Sequence, residues 1–450
     1  MVQAHRVTER LILRPPADMY TRPGHRRESA SSSGCSQVSE ELGVVSTKRP
    51  LAVAEIVEGE GQHSPRLHPA MVIPVVFYVP QLTVGGTENQ LAELLVQLNR
   101  KKFRPAVWCP GAWGPAGDRL SDANIPICRI RLSHRRPISF LQAVRWLREI
   151  KPQIFHSFGD GCAALDVLAA RLAVVPIVVT SRRNIRHWDP DRKARWSERL
   201  RNRWTDCVVA NSAAAAAVCA DVEGFPRNRI QVIYNGVKQG LRLPNPELRR
   251  ALRIGPADLL VGNVANLKNV KGHNTLIHAF RWVVDELPHA RLVICGEGEE
   301  GPALERLCRD LALTDHVSFL GLRHDLGSIY RSLDLYVHSS RAEGLPNAVL
   351  EAMAYGVSVV ATSAGGTGEL LAEHAGDCLV PPEDACALAQ GMLRMLKDEG
   401  LRSQRGLAGQ RRVAAGFTVS RMVAGYESVY LTLVRNATEV REPVTPVAVR

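Results

Sequence analysis

Two glutamates in the stretch AEGLPNAVLEAMAYG have a type and spacing that suit the binding of a sugar nucleotide. Glu343 precedes a Gly-Leu-Pro-Asn turn, and Glu351 lies inside the helix that the turn predicts and that Gly356 should end. Free amides at a helix start can bind an anion or sugar hydroxyls. Glu343 could accept hydrogen bonds from sugar hydroxyls and offset charge near an anomeric carbon. Glu351 could accept hydrogen bonds from both hydroxyls of a ribose. The alternative is that both carboxylates only stabilise the start of a surface helix.

Two lysines follow an apolar strand pattern in the loop NLKNVKGH (266–273). They are predicted to lie at the carboxyl edge of a parallel sheet, where cations meet phosphate groups. Lys268 by itself also fits a solvated loop. Lys271, which Gly272 follows, favours a diphosphate site.

A Gly-x-Gly-x-x-Gly pattern at Gly296, Gly298 and Gly301 is typical of dinucleotide binding. Three glutamates stand inside or beside the same loop and would repel a pyrophosphate. We therefore expect no NAD or FAD at this position.

The elements that must position these residues alternate between short apolar strands and helical patterns, which is typical of parallel α/β sheets. A first series of strands is predicted at 72–79, 105–109, 126–131, 153–156, 176–180, 206–210 and 230–233. A second series is predicted at 259–264, 290–295, 316–320, 334–338 and 357–361. The fold class is therefore α/β, with two Rossmann-like domains (71–240 and 241–416) facing a central cleft, a last helix (417–435) and a tail (436–450).

Residues 1–70 hold too little apolar surface to offset the entropy lost on ordering. We expect this extension to be disordered, either as a functional tail or as a segment ahead of a true start at Met71. Ten cysteines stand singly, without a Cys-x-x-Cys pair, which argues against a zinc site and fits a reducing cytoplasm. The chain shows neither a secretory signal nor an apolar run of membrane-spanning length, so we expect a cytoplasmic protein.

The formal charge of +12 is concentrated in one segment. Residues 71–240 hold 25 basic and 13 acidic side chains, whereas residues 241–450 hold 23 and 24. This excess predicts an anionic partner for the first domain, such as nucleic acid, an anionic membrane surface or a phosphorylated acceptor.

The stretch EGLPNAVLEAMAYGVSVVAT, with GGTGELL after it, resembles the Glu-x7-Glu signature of retaining glycosyltransferases of family 4 (glycosyl transferases group 1). Further segments match that family in order: VVANSAAAAA (208–217), VIYNGV (232–237), VKGH (270–273) and VSFLGLRHDL (317–326). The resemblance covers residues 71–434. It implies the GT-B fold, a nucleoside diphosphate sugar held mainly by the second domain, an acceptor bound by the first, and a last helix that crosses back to the first domain.

The resemblance also implies a role for each matching position. Glu343 would contact the donor sugar at the reacting centre, and Glu351 would hold the ribose. Lys271, supported by Lys268, would bind the diphosphate. Further donor contacts are expected from Gly85, Gly86, Arg323, Gly344, Leu345 and Asn347. His156, at the end of PQIFHSF, matches a strand-end histidine region near the donor sugar and is the second catalytic candidate.

The reaction implied is transfer of a glycosyl group to a hydroxyl with retention, and it requires no metal ion or other cofactor. Two positions depart from the family pattern: Asn266 replaces an arginine found in many members, and Phe158 replaces the second histidine of His-x-His. These departures leave two alternatives open. One is a catalytically degenerate GT-B protein that only binds a sugar nucleotide, and the other is a sugar-nucleotide epimerase.

The basic stretch 182–204 holds nine Arg/Lys residues. Arg182 and Arg183 follow the strand IVVT and are candidates for binding an acceptor phosphate. Trp196, Leu200 and Trp204 would share one helix face, which fits either an interfacial helix on anionic lipid or a helix packed on the sheet. We expect a lipid-linked or phosphorylated acceptor in cell-envelope polysaccharide or glycolipid synthesis, at the inner face of the membrane. The aromatic residues do not form a stacking motif, so nucleic acid is not expected.

Overall fold

The computed structural model describes residues 72–131, 137–159, 164–185, 192–240, 246–371 and 375–439. These residues belong to one compact unit. The predicted disorder of residues 1–70, the candidate start Met71 and the predicted tail from residue 440 onward lie outside the described residues.

The described residues of the first half form a parallel sheet whose strand order is β3-β2-β1-β4-β5-β6-β7. Its strands are β1 (Ile73–Tyr78), β2 (Phe103–Trp108), β3 (Ile127–Cys128), β4 (Ile154–Ser157), β5 (Ile177–Arg182), β6 (Cys207–Ala210) and β7 (Ile230–Val232). Its helices are α1 (Gly86–Gln97), α2 (Pro115–Asp122), α3 (Pro137–Ile150), α4 (Leu165–Leu172), α5 (Arg192–Arg203) and α6 (Ala213–Asp221).

The second half builds another parallel sheet, ordered β10-β9-β8-β11-β12-β13. Its strands are β8 (Leu259–Val264), β9 (Ala290–Cys295), β10 (Val317–Gly321), β11 (Leu335–His338), β12 (Ser358–Thr362) and β13 (Leu379–Val380). Its helices are α7 (Pro246–Ala251), α8 (His273–Glu286), α9 (Gly301–Asp310), α10 (Leu326–Ser332), α11 (Asn347–Ala354), α12 (Thr367–Leu371), α13 (Ala375–Cys378), α14 (Ala385–Lys397) and α15 (Glu399–Gly416).

The predicted α/β class with two Rossmann-like sheets is confirmed, and most strand positions agree within two residues. β8 and β9 begin and end where predicted, whereas β3 is shorter and β13 was not predicted. The predicted domain boundary at residue 240 falls between β7 and β8 and stays a prediction. Among the described helices, none has the length and apolar character needed to cross a bilayer.

Both faces of the central strand β1 are buried, which explains its unbroken apolar sequence. Val75 and Phe77 face one cluster of core residues, and Val76 and Tyr78 face another, as the two-residue period of a strand requires. The carboxyl end of β1 therefore projects from a rigid centre of the sheet.

The last helix, α16 (Val419–Glu439), returns to the first sheet, as predicted. Met422, Tyr426 and Tyr430 join the same core cluster as Phe77. The predicted end at residue 435 is wrong, because Ala437 continues the apolar stripe against that cluster and the helix runs on to Glu439.

Candidate active site at the facing sheet edges

The carboxyl edges of the two sheets meet around the loop that carries Glu343. Nδ2 of Asn347 donates a hydrogen bond to the carbonyl oxygen of Gly86 in the first half, at 3.1 Å. Gly344 packs against the first half so closely that an added Cβ would lie 2.0 Å from the carbonyl oxygen of Arg183. In parallel α/β sheets this edge is where ligands bind.

Glu343 is held by three side chains at this edge. Its Oε1 lies 2.6 Å from Nζ of Lys271 and accepts a hydrogen bond from Oγ of Ser340 at 2.7 Å. Nε2 of His338, at the end of β11, lies 3.2 Å from the same oxygen. The carboxylate is only 8% exposed, so its position is fixed before any ligand binds.

The charge state of Glu343 follows from these contacts. Burial by itself would raise the pKa of its carboxyl group. The Lys271 ammonium, its hydrogen bond and the close contact with His338 outweigh burial and lower this pKa to about 2. Glu343 is therefore a carboxylate at every physiological pH and can stabilise positive charge on a sugar ring.

Glu351 lies in the second turn of α11, eight residues after Glu343, in a different environment. Burial raises the pKa of its carboxyl group to about 7, and the hydrogen bond from the Tyr330 hydroxyl at 2.8 Å only partly opposes this. Its protonation therefore changes near neutral pH, unlike that of Glu343.

The predicted turn and helix between the two glutamates agree with the structure. α11 begins at Asn347, and Gly356 follows its end in the left-handed region at φ 70°. Nδ2 of Asn235 donates to the carbonyl oxygen of Leu345 at 3.3 Å and to Oδ1 of Asn347 at 2.7 Å. The helix start is thereby tied to the segment that links the two sheets.

The glycine pair predicted to approach the donor opens α1. A Cβ added at Gly85 would lie 2.2 Å from Oε2 of Glu88. One added at Gly86 would lie 2.7 Å from Nδ2 of Asn347. Side chains at these positions would collide with groups that line the meeting point of the two edges.

Lys268 and Arg323 lie at the same sheet edge as Lys271 but do not contact Glu343 among the described contacts. Lys268 is exposed just before the 3-10 turn Asn269–Lys271. Arg323 follows β10, and its guanidinium pairs with the Asp325 carboxylate at 2.7 Å. Both residues belong to the carboxyl edge, but neither contacts Glu343 in the way that Lys271 does.

His156 lies in the packed core of the first half, and its predicted catalytic role stays a prediction. Its side chain is fully buried. Nδ1 lies 2.6 Å from the Tyr430 hydroxyl, and Nε2 lies 3.0 Å from Oγ of Ser181. Burial and nearby arginines lower its pKa well below the usual value, so the ring is neutral and joins α16 to the first sheet.

The guanidinium of Arg182 is engaged within the first half, and its predicted acceptor-binding role stays a prediction. Its guanidinium is buried and bonded to both carboxylate oxygens of Glu223 at 2.8–3.0 Å and to Oδ1 of Asn202 at 2.7 Å. A cation with these partners already has its charge balanced inside the first domain.

Arg183 differs from its neighbour. It is 5% exposed, and its NH2 group donates to Oδ1 of Asn235 at 2.7 Å. Its Nε is buried and has no hydrogen-bond partner among the residues that the structure describes. Since its carbonyl oxygen touches Gly344, Arg183 is the member of the pair that lies beside the loop of Glu343.

The Gly-x-Gly-x-x-Gly pattern has a packing explanation. A Cβ added at Gly296 would lie 1.9 Å from the carbonyl oxygen of Ala265. One added at Gly298 would lie 2.3 Å from the carbonyl oxygen of Leu267. Gly296 also has a φ of 142°, which side chains rarely allow. These glycines let the loop after β8 cross close to the loop after β9.

Sequence reasoning missed the residues that hold the site in place. They are His338, Ser340, Asn235 and Tyr330. His338 and Ser340 had a usable signal, because polar residues directly after an apolar strand lie at the ligand-binding edge of a parallel sheet. Tyr330 reaches Glu351 from another helix, and nothing in the sequence pairs the two.

Comparisons with known proteins agree with this geometry. The sequence model described as Glycosyltransferase Family 4 matches residues 84–239, and the model described as Glycosyl transferases group 1 matches residues 258–398. The chain is 27% identical over 213 residues to N-acetyl-alpha-D-glucosaminyl L-malate synthase of Bacillus anthracis, covering 47% of this chain and 56% of that protein. It is 30% identical over 223 residues to the lipopolysaccharide core biosynthesis glycosyltransferase LpsE of Rhizobium meliloti, covering 49% and 63%.

The match therefore spans about 56–63% of the length of these relatives. Among solved structures, HepE of Anabaena in complex with UDP-glucose superposes with a TM-score of 0.70 at 21% identity, covering 80% of this chain and all of that one. That likeness concerns the fold. From both sequence models and the two facing sheets, we conclude that this chain is a member of the group 1, family 4 glycosyltransferases with the GT-B fold.

Proposed function

We propose that this protein is a retaining glycosyltransferase that moves a hexosyl group from a nucleoside diphosphate sugar to an acceptor hydroxyl. The observation that carries this proposal is the placement of Glu343, paired with Lys271, directly before the start of α11. A fixed carboxylate suits a sugar ring that gains positive charge, and a lysine with helix-start amides suits the departing diphosphate.

The second domain supplies the donor contacts in this proposal. Glu351 accepts hydrogen bonds from the ribose hydroxyls. Lys271 and the exposed Lys268 bind the diphosphate, and the loop at Arg323 borders the base. Gly86 brings the first domain's backbone against the same pocket through its contact with Asn347. HepE, with the same fold, binds UDP-glucose, which makes a uridine nucleotide the first donor to test. We propose that these cations and amides stabilise the leaving group without a resident metal ion.

We further propose that the acceptor carries an anionic group that meets Arg183. Its guanidinium forms no ion pair with a carboxylate of the described residues and still has an unpartnered Nε. The basic first domain would draw such an acceptor, or an anionic membrane surface, to the cleft. A lipid-linked or phosphorylated acceptor in envelope polysaccharide or glycolipid synthesis fits both features, and we propose that the enzyme works at the inner face of the membrane.

A donor screen by thermal shift is the first test. UDP-, GDP- and ADP-sugars are added singly, and the correct donor should raise the melting temperature in a concentration-dependent way. The labelled donor is then incubated with and without a phosphorylated lipid acceptor. Transfer with retention supports the proposal. Binding without transfer favours the degenerate binding protein, and an altered sugar on the nucleotide favours the epimerase.

The membrane proposal has its own test. Vesicles of phosphatidylglycerol should carry the protein upward in a flotation gradient at low salt, and vesicles of phosphatidylcholine should not. If the anionic vesicles carry no protein at low salt, the membrane surface is not a partner.

A further inference from the structure

The carboxylate of Glu369, in the second half of the chain, accepts hydrogen bonds from the first amides of helix α6 in the first half. Oε2 of Glu369, in α12, accepts a hydrogen bond from the amide of Ala213 at 2.8 Å. Oε1 of the same residue accepts one from the amide of Ala214, also at 2.8 Å. Both amides open α6, where the helix dipole favours a negative charge.

The remaining amide of this helix start is bonded within the first half. Oγ of Ser212 accepts a hydrogen bond from the amide of Ala215 at 3.0 Å. The start of α6 is therefore completed jointly: one amide is bonded by the neighbouring Ser212, and two are bonded by Glu369, more than 150 positions away in the chain.

The segment that carries Glu369 also holds the loop of Glu343. The amide of Gly366 donates to the carbonyl oxygen of Gly344 at 2.9 Å. An added Cβ at Gly365 would lie 1.8 Å from the carbonyl oxygen of Glu343. Because these contacts are backbone to backbone, a shift of the segment would move the Glu343 loop with it.

The same segment touches the first half next to α6. An added Cβ at Gly366 would lie 2.7 Å from Cβ of Ser212, so the two residues are already in contact. Residues 365–369 are thus fixed to the first half and to the Glu343 loop.

We infer that Glu369 is a positioning residue for glycosyl transfer. Its two bonds to α6 set the position of the Glu343 loop against the first domain when the cleft is closed. The carboxylate does not touch the reacting atoms; it acts through Gly366 and Gly344. This inference rests on the proposed division of donor and acceptor between the two domains.

Glu369→Ala removes both bonds and should lower kcat about 10- to 100-fold, since each hydrogen bond to a charged group contributes substantially. The dissociation constant of the donor should stay within about twofold, because the proposed donor contacts lie mainly in the second domain. Glu369→Gln keeps one acceptor oxygen, so its kcat should fall less than that of Glu369→Ala. Glu369→Ala with wild-type kcat would overturn the inference.

Asp398→Ala is the matched control. Oδ1 of Asp398 accepts a hydrogen bond from the amide of Leu401 at 2.8 Å and caps α15 within one half of the chain. Losing this cap should lower the melting temperature and leave kcat unchanged. If Asp398→Ala lowers kcat as much as Glu369→Ala does, the effect is general destabilisation and the inference is wrong.

Hydrogen–deuterium exchange provides a readout that needs no substrate. In Glu369→Ala, the amides of Ala213 and Ala214 should exchange at least about tenfold faster, whereas the amide of Ala215 should not change. Unchanged exchange at Ala213 and Ala214 would show that Glu369 does not hold α6, which overturns the inference. Faster exchange in a protein whose wild type neither binds nor turns over a nucleotide sugar would instead reject the proposed function and leave the contact established.

Discussion

Nζ of Lys271 lies 2.6 Å from Oε1 of Glu343, although the two residues are 72 positions apart in the chain. Lys271 follows β8 and Glu343 follows β11, and these strands are neighbours in the sheet. Their parallel pairing brings both loops to one edge, so an ammonium and a carboxylate meet where a sugar diphosphate would bind. Removing either member leaves the other charge without its partner in a mostly buried position.

Glu343→Gln should lower kcat about 100- to 1,000-fold, because a neutral amide cannot stabilise positive charge on the sugar ring. The melting temperature should fall by only a few degrees. The measurement is a steady-state assay with the donor found by thermal shift.

Glu383→Gln provides the control for that change. Glu383 is 61% exposed and pairs with Arg341, two residues before Glu343, at 3.2 Å. It should keep wild-type kcat. Full activity of Glu343→Gln, or an equal loss in both variants, would reject the role given to Glu343.

The Glu351 carboxyl group predicts a pH dependence of donor binding. With a pKa of about 7, only the ionised form accepts both ribose hydroxyls. Donor affinity should therefore rise about tenfold between pH 6 and pH 8, in line with the ionised fraction. Calorimetric titration measures this, and Glu351→Gln should bind weakly with no pH dependence. A flat profile for the wild type would contradict the ribose assignment.

The same group predicts a pH dependence of stability. The pKa of Glu351 is raised above its ordinary value of 4.5, so the folded protein keeps a proton that the unfolded chain releases. Its contribution to the free energy of unfolding is full below pH 4.5 and is lost as the pH rises through 7, by about 3 kcal/mol. Glu351→Gln should be more stable than the wild type at pH 8 and lose this advantage at pH 4.5. Urea unfolding at the two pH values tests this.

His156→Phe separates a packing role from a catalytic one. The substitution leaves the Tyr430 hydroxyl and Oγ of Ser181 without their partner in the core and should cost about 2–4 kcal/mol of stability. Below its lowered melting temperature, the variant should keep kcat within about twofold. A loss of kcat of more than 100-fold without loss of stability would instead support the catalytic assignment.

Gly344→Ala tests whether the closed contact between the two halves is needed. The new methyl group would lie 2.0 Å from the carbonyl oxygen of Arg183 and force the two edges apart. A displacement of about 1 Å at a reacting centre can cost about 100-fold in rate, so kcat/KM should fall by that order while the fold persists.

Gly301→Ala is its control, since among the described residues the added methyl group there would meet Leu267 Cδ1 at an ordinary 3.5 Å. It should keep both stability and activity. Wild-type activity in Gly344→Ala would show that this contact is not part of the active arrangement.

The sequence by itself determined the α/β class, most strand positions and the turn and helix between Glu343 and Glu351. These features depend on neighbouring residues: unbroken apolar runs form strands that are buried on both faces, and Pro346 and Gly356 mark where a helix starts and ends. Because parallel strands place their following loops at one edge, the sequence also predicted that Lys271 and Glu343 belong to one site.

Only the tertiary structure decided which polar residues are free to act at that site. His156 and Arg182 lie at the carboxyl-terminal ends of β4 and β5. Tyr430, 274 positions from His156, and Glu223, 41 positions from Arg182, nevertheless occupy their polar groups. The tertiary structure also brought the Glu369 carboxylate to the first amides of α6. It placed Asn235 between Arg183 and Asn347. Local sequence patterns record the backbone preferences and burial of a segment, whereas the partner of a buried polar group comes from whichever distant segment packs against it.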